Sequence, residues 1–169
     1  MNINIIEWTK SAKDSFKPYS GNVLDIGSLN VNGTVKHLFT DAKKYTGIDF
    51  RNGKDVDMVL NAHDLMTVFQ PNSFDTIICM DMIEHDDAFW ITLENINKLL
   101  KKGGYLWVVI PSITFPIHNH PDDYFRLTEQ AFEKVIYKGY KLLNMKNVYT
   151  KVINGKNINP VLCALGKKL

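Results

Sequence analysis

The stretch that decides the fold is Val23-Leu24-Asp25-Ile26-Gly27-Ser28, which is followed five residues later by Gly33. It predicts a short buried strand that ends at a glycine, turns tightly and leads into a helix near Thr34. In open α/β sheets, ligands bind just outside the carboxyl ends of the strands. Because glycine has no Cβ, the backbone at such a turn can approach a ligand closely. We therefore expect a ligand crevice at Gly27, with the carboxylate of Asp25 at its floor.

The composition is that of one globular domain. The chain has 169 residues, 45% of them hydrophobic and 22% charged, and this length is sufficient to bury a core. We expect a single domain over 1–169, in which the N-terminal helical segment 1–20 is a candidate lid. The net charge is only +2 and the lysines occur in scattered pairs. A nucleic acid is therefore not the expected partner.

Cysteine usage and the N-terminus predict a cytoplasmic protein. Cys79 and Cys163 both lie in apolar runs without the short spacing of a metal motif, so they are predicted to be reduced core thiols. The first residues lack a basic region followed by an apolar run, so no signal peptide is predicted. No stretch approaches the ~20 apolar residues of a membrane span, so no membrane partner is expected. The sequence leaves the oligomeric state open.

Strand and helix patterns alternate along the chain, which predicts a mostly parallel sheet with right-handed crossovers. The predicted strands are 22–26, 45–49, 56–60, 74–80, 105–110, 140–152 and 160–165. The predicted helices are 4–16, a short one at 35–39, 87–101, and one that Thr128 caps and Gly139 ends. The Asn154-Gly155 turn favours an antiparallel hairpin for the last two strands. The predicted fold class is α/β, a mostly parallel seven-stranded sheet with helices on both faces and a C-terminal antiparallel hairpin.

Two of these helices carry more detailed expectations. In the helix 87–101, Lys101-Lys102 would complement the C-terminal dipole and Gly103-Gly104 would end the helix. In the helix after Thr128, the residues predicted to face the core are Ala131, Phe132, Val135 and Ile136.

Polar groups follow several predicted strands, at the edge where parallel strands end together. Asp49 closes the second strand and Phe50 follows it, whereas Asn61-Ala62-His63 follows the third. A carboxylate in the position of Asp49 accepts hydrogen bonds from ribose hydroxyls in nucleoside-binding α/β folds. Phe50 can pack on an adenine face, and a polar side chain after the third strand can meet the adenine edge. The sequence therefore predicts a nucleoside-containing cofactor.

This pattern resembles the class I S-adenosylmethionine-dependent methyltransferases, in particular the small methyltransferase-domain group. The resemblance covers about 22–130. The motifs that carry it are Leu24-Asp25-Ile26-Gly27-Ser28, Gly47-Ile48-Asp49, Phe74-Asp75-Thr76-Ile77-Ile78, Glu84-His85 and Leu99-Leu100-Lys101-Lys102-Gly103-Gly104. The resemblance implies a Rossmann-like sheet, S-adenosylmethionine as the cofactor and methyl transfer as the reaction.

The resemblance also implies a role for each cofactor residue. Gly27 and its neighbours face the methionine part, Asp49 holds the ribose, and the backbone around Met80 lines the sulfonium. Asn61 borders the adenine where the family usually has aspartate, and its carbonyl can still accept a hydrogen bond from the adenine amine. The predicted cofactor-binding residues are Asp25, Gly27, Ser28, Asp49, Phe50, Asn61, Ala62, His63, Met80 and Met82.

The long loop Pro111–Leu127 follows the fifth strand and is expected to contact the methyl acceptor, because loops of this length in small domains are usually functional. Methyl transfer from a sulfonium mainly requires alignment of the nucleophile. An amine or hydroxyl must also lose a proton to a general base. His85 and His118 are the predicted bases, with Tyr124 and Arg126 orienting the acceptor. The structural alternative for Arg126 is an ion pair with Asp123 that rigidifies the loop.

The sequence is also compatible with other functions. A metal site at His118, His120, Asp122 and Asp123 is not favoured, because Pro121 constrains the loop, and no metal is predicted. The predicted function is methylation of a small molecule or a glycan precursor, at oxygen, nitrogen or carbon. The first alternative is a non-catalytic module that binds S-adenosylmethionine. The second is a nicotinamide-dependent oxidoreductase, which the missing Gly-x-Gly-x-x-Gly turn disfavours.

Overall fold

The architecture comes from a computed structural model, which describes residues 1–119 and 122–169. The strands are β1 (Asn22–Ile26), β2 (Lys44–Asp49), β3 (Met58–Val59), β4 (Phe74–Met80), β5 (Leu100–Pro111), β6 (Tyr140–Ile153) and β7 (Lys156–Lys168). The α-helices are α1 (Ile3–Phe16), α2 (Leu65–Val68), α3 (Phe89–Leu99) and α4 (Glu129–Ala131), and α4 continues as a π-helix over Phe132–Ile136. Single 3-10 turns occupy Lys36–Leu38, Ala62–Asp64 and Ile83–His85.

The strands form one sheet in the order β3-β2-β1-β4-β5-β7-β6. Neighbouring strands from β3 to β5 are parallel, whereas β7 is antiparallel to both β5 and β6. The order runs outward in both directions from β1, so the carboxyl ends of β1, β2 and β4 meet at the crevice where ligands bind in such sheets. The predicted fold class, with its C-terminal antiparallel hairpin, is confirmed.

Both faces of the sheet are covered by apolar layers. On one face α1 packs through Trp8 against Trp107 of β5, with the ring centroids 5.7 Å apart and nearly perpendicular. On the other face α3 buries Leu93 and Ile96 against the strands. Strands covered on both faces are apolar at successive positions, as Ile77 and Ile78 of β4 are, one in each layer.

The helix expected near Thr34 is reduced to the 3-10 turn Lys36–Leu38, so this prediction is wrong. The loop before it forms local side-chain bonds that compete with a helix. The Oδ1 atom of Asn30 accepts a hydrogen bond from the Gly33 amide at 2.9 Å, and the Asn30 Nδ2 atom donates to Asp55 at 2.7 Å. A long loop therefore borders the carboxyl end of β1.

The expected end of the helix 87–101 is also wrong. Helix α3 ends at Leu99, and Leu100 already pairs with Phe74 of β4. Lys101 lies in β5 and donates to Asp75 at 2.8 Å, rather than neutralising a helix end. Gly103 has a φ of +77° at the irregular start of this pairing, so it shapes the strand instead of ending the helix.

Three smaller differences concern other elements. Strand β3 covers only Met58–Val59, because the Asp57 carboxylate replaces a ladder bond by accepting from the Gly47 amide at 2.8 Å. The short helix α2 was not predicted. Thr128 caps α4 as expected, but Val135 is 50% exposed because the π-helix turns it away from the core.

Two features were used to predict a cytoplasmic protein: the state of the cysteines and the lack of an apolar stretch as long as a membrane span. Cys79 and Cys163 are buried free thiols, as the sequence predicts, and burial raises the pKa of both. Among the described residues, no helix has the length and hydrophobicity to cross a membrane.

Candidate active site

A cavity of about 700 Å³ lies at the carboxyl ends of β1, β2 and β4. All the predicted cofactor-binding residues line it, as do His85 and His118. Met1, Asn2 and Ile5 contribute a wall from the start of α1. The structure therefore brings together, in one cavity, residues that are dispersed over most of the sequence.

The turn after β1 brings its backbone close to the cavity. Gly27 has a φ of +80°, and the amides of Gly27 and Ser28 both donate to the Ile48 carbonyl at 2.9 Å. A Cβ on Gly27 would lie 2.9 Å from the Cγ atom of Met82, so the turn has no room for a side chain. The Ser28 hydroxyl is buried and has no hydrogen-bond partner in the described parts of the chain. This unsatisfied polar atom, beside a glycine that exposes its backbone, fits a polar ligand.

Two buried carboxylates face the cavity from β1 and β2. Asp25 accepts a hydrogen bond from the Tyr45 hydroxyl at 2.7 Å, and burial raises the pKa of Asp25 to about 6. The Oδ1 atom of Asp49 accepts from the Arg51 amide at 2.9 Å, which fixes the orientation of this carboxylate. Asp49 is thus a buried carboxylate of fixed orientation at the end of β2, and it lines the cavity.

The side of the cavity that is expected to contact the adenine is formed by Asn61, Ala62 and His63, and it begins with a helix cap at Asn61. The Oδ1 atom of Asn61 accepts from the His63 amide at 2.9 Å and caps the turn Ala62–Asp64. A carbonyl oxygen has a second lone pair, which remains for a ligand. On the neighbouring loop Phe50 is 55% exposed, with the Arg51 guanidinium 5.0 Å from its ring centroid.

Hydrogen bonds to α3 and the loop before it hold this side of the cavity in place. The His63 ring nitrogen Nε2 lies 2.7 Å from the Oδ1 atom of Asp86, whose other oxygen accepts from Thr92 at 2.5 Å. The Asn95 side chain donates to the carbonyls of Ala62 and His63, both at 2.9 Å. Asp86 and Asn95 are supporting residues that the sequence analysis missed, because their partners are distant in sequence.

The end of β4 and the residues after it line the cavity between the turn after β1 and the two histidines, His85 and His118. Met80 and Met82 both line it, and between them Asp81 has a φ of +53°. The Asp81 amide donates to the Val109 carbonyl at 3.0 Å, which holds this left-handed conformation. Burial raises the pKa of Asp81. Asp81 was not among the predicted site residues, although it follows the end of β4 and lines the cavity.

The predicted bases face each other at the far end of the cavity. The rings of His85 and His118 lie 5.0 Å apart at 81°, and Phe115 packs against His118. Glu84 lies behind them with 0% exposure, and its Oε1 atom is 3.7 Å from the His85 Nε2 and 3.9 Å from the His118 Nε2. Burial raises the pKa of Glu84 well above its ordinary value. The sequence marks Glu84 only as a member of the Glu84-His85 motif, and no sequence pattern predicts its convergence with both histidines.

Arg126 and Tyr124 do not line the cavity. The guanidinium of Arg126 pairs with the Asp123 carboxylate through two nitrogens and donates to the Pro116 carbonyl at 3.0 Å. These bonds lower the pKa of Asp123 to about 2. The Tyr124 side chain is 50% exposed, while its amide donates to the Glu84 carbonyl at 2.7 Å. The contacts of Arg126 match the structural alternative, in which this ion pair rigidifies the loop.

The structure describes only part of the metal-ligand set that the sequence disfavours, which consists of His118, His120, Asp122 and Asp123. His120 and Pro121 lie outside the described residues. Of the others, His118 faces the cavity, whereas Asp123 pairs with Arg126 and Asp122 accepts from His85 through its backbone carbonyl.

Comparison with known proteins identifies the family. A family profile described as "Methyltransferase domain" matches residues 24–108, half of the chain. The match spans the Gly27 turn, the Asp49 strand end and the Glu84-His85 pair. A search of curated proteins finds no match to the sequence.

Solved structures agree with this fold. A 1,6-didemethyltoxoflavin-N1-methyltransferase from Burkholderia thailandensis, with its substrate and S-adenosylhomocysteine bound, superposes with a TM-score of 0.74 at 14% identity, covering 97% of this chain and 78% of that one. A SAM-dependent methyltransferase from Archaeoglobus fulgidus gives 0.70 at 16% identity, covering 96% and 94%. The N-methyltransferase NodS from Bradyrhizobium japonicum gives 0.70 at 13% identity, covering 97% and 93%.

The chain therefore belongs to the methyltransferase-domain family and is a class I S-adenosylmethionine-dependent methyltransferase. The predicted family, reaction type and cofactor are confirmed, and the nicotinamide alternative is set aside. The match ends at residue 108, before the loop Pro111–Leu127.

Proposed function

We propose that this enzyme transfers the methyl group of S-adenosylmethionine to a hydroxyl or amine of a small molecule or a glycan precursor. The observation that carries the proposal is the pair of histidines, His85 and His118, at the far end of the cofactor cavity. A hydroxyl or amine nucleophile must lose a proton on methylation, and imidazole is the usual group that assists this. A carbon nucleophile would have less need of such a pair.

The residues around the first turn would hold the cofactor. The open backbone at Gly27 and the unsatisfied Ser28 hydroxyl fit the polar methionine part, and Asp49 fits the ribose. Asn61 and Ala62 would border the adenine, with Met80 near the sulfonium. The cofactor supplies an activated methyl group: the carbon–sulfur bond breaks as the acceptor bonds to the methyl carbon, and S-adenosylhomocysteine and a proton are released.

The size of the cavity supports a small acceptor. A volume of about 700 Å³, which the cofactor must share, lies within the usual range for small-molecule sites. Pro111 and Phe115 limit the far end beside His118. The N1-methyltransferase from Burkholderia thailandensis, which also acts on a small molecule, supports the same substrate class.

Three further predictions from the sequence remain proposals. The lid role of the N-terminal segment is supported by Met1, Asn2 and Ile5, which line the cavity. A cytoplasmic location is supported by the buried free thiols of Cys79 and Cys163. The absence of a nucleic-acid partner is supported by the small net charge of +2.

Calorimetric titration with S-adenosylhomocysteine, with NADH titrated in parallel, tests the cofactor assignment. We expect micromolar binding of S-adenosylhomocysteine and none of NADH. The acceptor is then sought by incubating the enzyme with S-adenosylmethionine and panels of hydroxyl and amine compounds, with mass spectrometry of the products. Cofactor binding without methylation of any compound across broad panels would favour the non-catalytic module, and absence of cofactor binding would contradict the proposal.

A further inference from the structure

We propose that Glu84, His85 and His118 form a site for a divalent transition-metal ion, such as Zn²⁺ or Fe²⁺, at the acceptor end of the cavity. One ligand atom from each of these side chains lies within 4.8 Å of the other two. Glu84 and His85 come from the 3-10 turn after β4, whereas His118 comes from the loop after β5. The role of the ion in methyl transfer rests on the proposed function, but its binding does not.

The buried carboxylate of Glu84 provides the first argument. Glu84 is fully buried, and neither of its oxygens has a hydrogen-bond partner within residues 1–119 and 122–169. A buried carboxyl group without a partner is costly, so it normally binds a donor or a cation. The imidazole nitrogens at 3.7 and 3.9 Å are too distant for hydrogen bonds. Two ligands of one Zn²⁺, each about 2.0–2.2 Å from it, lie roughly 3–3.5 Å apart. A contraction of a few tenths of an ångström would bring the Glu84 oxygen and each histidine nitrogen into this range.

The hydrogen bond on the other side of the His85 ring also supports a metal site. Its Nδ1 atom bonds to the backbone carbonyl of Asp122. Because a carbonyl only accepts, Nδ1 must carry the proton, and the neutral ring then has its lone pair on Nε2. Nε2 is the atom that faces Glu84. Metal-binding histidines almost always donate their other nitrogen to a carbonyl or a carboxylate in this way.

His118 is held on its Nδ1 side by two groups of the same loop. The Arg126 Nη2 atom donates a hydrogen bond to Nδ1 at 3.3 Å, and the Oδ2 atom of Asp123 lies at the same distance, while Nε2 faces Glu84. For Nε2 to bind an ion, Nδ1 would exchange the bond from Arg126 for one that it donates to the Asp123 carboxylate. Arg126 also bonds to this carboxylate and to the Pro116 carbonyl, so it has a positioning role toward His118.

The ligand set indicates the class of ion. Two imidazoles and one carboxylate favour Zn²⁺, Fe²⁺ or a neighbouring transition metal over Mg²⁺ and Ca²⁺, which prefer oxygen ligands. Three protein ligands leave open positions, and both histidines line the cavity, so these positions face the acceptor. With their lone pairs on the ion, the two histidines would act as its ligands instead of as bases. An acceptor hydroxyl bound to the ion would have a lowered pKa and release its proton to water. Its oxygen would then bond to the methyl carbon as the carbon–sulfur bond breaks.

This proposal departs from the prediction that no metal is bound, and its ligand set shares only His118 with the set that the sequence disfavours. A second cluster, His63 with Asp86 and Asp87, also has ligand-like spacing. It carries no such inference, because His63 and Asp86 already bond to each other at 2.7 Å and Asp86 accepts further bonds from α3 and the residue before it.

The test is a titration of the full, untagged chain, treated with a chelator, with Co²⁺ followed by visible absorption. We expect one Co²⁺ per chain, displaced by Zn²⁺ but not by excess Mg²⁺. Glu84→Gln and His118→Ala should each lower the affinity at least a hundredfold. His37→Ala is the matched control, because His37 lies in the turn Lys36–Leu38 outside the cavity and should leave the affinity unchanged.

Absence of Co²⁺ and Zn²⁺ binding, equal affinity in the wild type and His118→Ala, or displacement by Mg²⁺ would each overturn the inference. Circular dichroism checks that Glu84→Gln folds, and His118→Ala keeps the test informative because this side chain is partly exposed on a loop. S-adenosylhomocysteine is titrated into the same samples. Cofactor binding without metal binding refutes the metal site alone, whereas metal binding without cofactor binding refutes the proposed function alone.

Discussion

Replacement of Gly27 by alanine tests the placement of the cofactor most directly. A Cβ at this position would lie 2.9 Å from the Met82 Cγ atom and 3.0 Å from its Cβ atom. The φ of +80° adds a conformational cost of about 1–2 kcal/mol for a residue with a side chain. Because Gly27 and Met82 both line the cavity, the new methyl group and the displaced Met82 would occupy space that the cofactor needs.

Gly139 provides a matched control for this substitution. Its φ is +86°, and a Cβ there would meet no atom within 4 Å. Gly139→Ala should therefore lower the free energy of unfolding by about 1–2 kcal/mol and leave cofactor binding unchanged. Gly27→Ala should cost more stability and weaken S-adenosylhomocysteine binding at least tenfold, about 1.4 kcal/mol.

Two measurements on both variants decide the matter. Urea unfolding gives the stability change, and calorimetry with S-adenosylhomocysteine gives the affinity at a temperature where both proteins are folded. If Gly27→Ala binds S-adenosylhomocysteine as tightly as Gly139→Ala does, the cofactor does not lie against this turn.

Three other predictions concern the carboxylate of Asp49, the pH dependence of the free energy of unfolding, and the packing of the core. Asp49→Ala should weaken S-adenosylhomocysteine binding at least tenfold in calorimetry, about 1.4 kcal/mol. Asp64 lies outside the cavity, so Asp64→Ala should leave the affinity unchanged. If both variants bind S-adenosylhomocysteine equally well, Asp49 does not belong to the site. Burial raises the pKa of Asp25 from 3.8 to about 6, so the folded chain holds this proton more tightly than the unfolded chain does, and the resulting stability is lost as the pH rises through 6. Relative to Asp25→Asn, the wild type should lose about 2 kcal/mol of unfolding free energy between about pH 4 and pH 7, and a pH-independent difference in urea unfolding would contradict this. Ile96→Ala should lower the free energy of unfolding by about 3 kcal/mol, because Ile96 is fully buried. Ile91→Ala on the same helix should lower it by less than about 1 kcal/mol, because Ile91 is 38% exposed. Similar midpoints of the two variants in thermal unfolding would refute the assigned packing.

Local pattern was sufficient to predict most of the sheet. The apolar run Phe74–Met80 and the run before Gly27 predict strands because each is short, almost entirely apolar and bounded by turn residues. The boundaries were less accurate where pairing between strands overrides helix propensity. Leu100 to Gly104 has the composition of a helix end, but pairing with β4 and the ion pair of Lys101 with Asp75 draw it into β5.

That Asp49 and Asn61 line one cavity could be predicted, because these residues occupy a fixed relation to strand ends. Asp49 and Asn61 each follow a strand, and parallel strands place their carboxyl ends at one edge. The residues predicted to orient the methyl acceptor have no such fixed relation to strand ends. Arg126, for example, was selected for its residue type, and its contacts with Asp123 and the Pro116 carbonyl depend on the path of the loop.

The sequence by itself determined the class of the protein, since alternating apolar segments with a glycine turn and acidic strand ends are local features that one chain displays in order. Only the tertiary structure decided that Glu84, His85 and His118 converge. His118 reaches the other two because the loop is pinned by contacts between distant residues, such as the Tyr124 amide to the Glu84 carbonyl at 2.7 Å and the His85 ring to the Asp122 carbonyl. Bonds of this kind use backbone groups that every residue carries, so no pattern of side chains in the sequence reveals them.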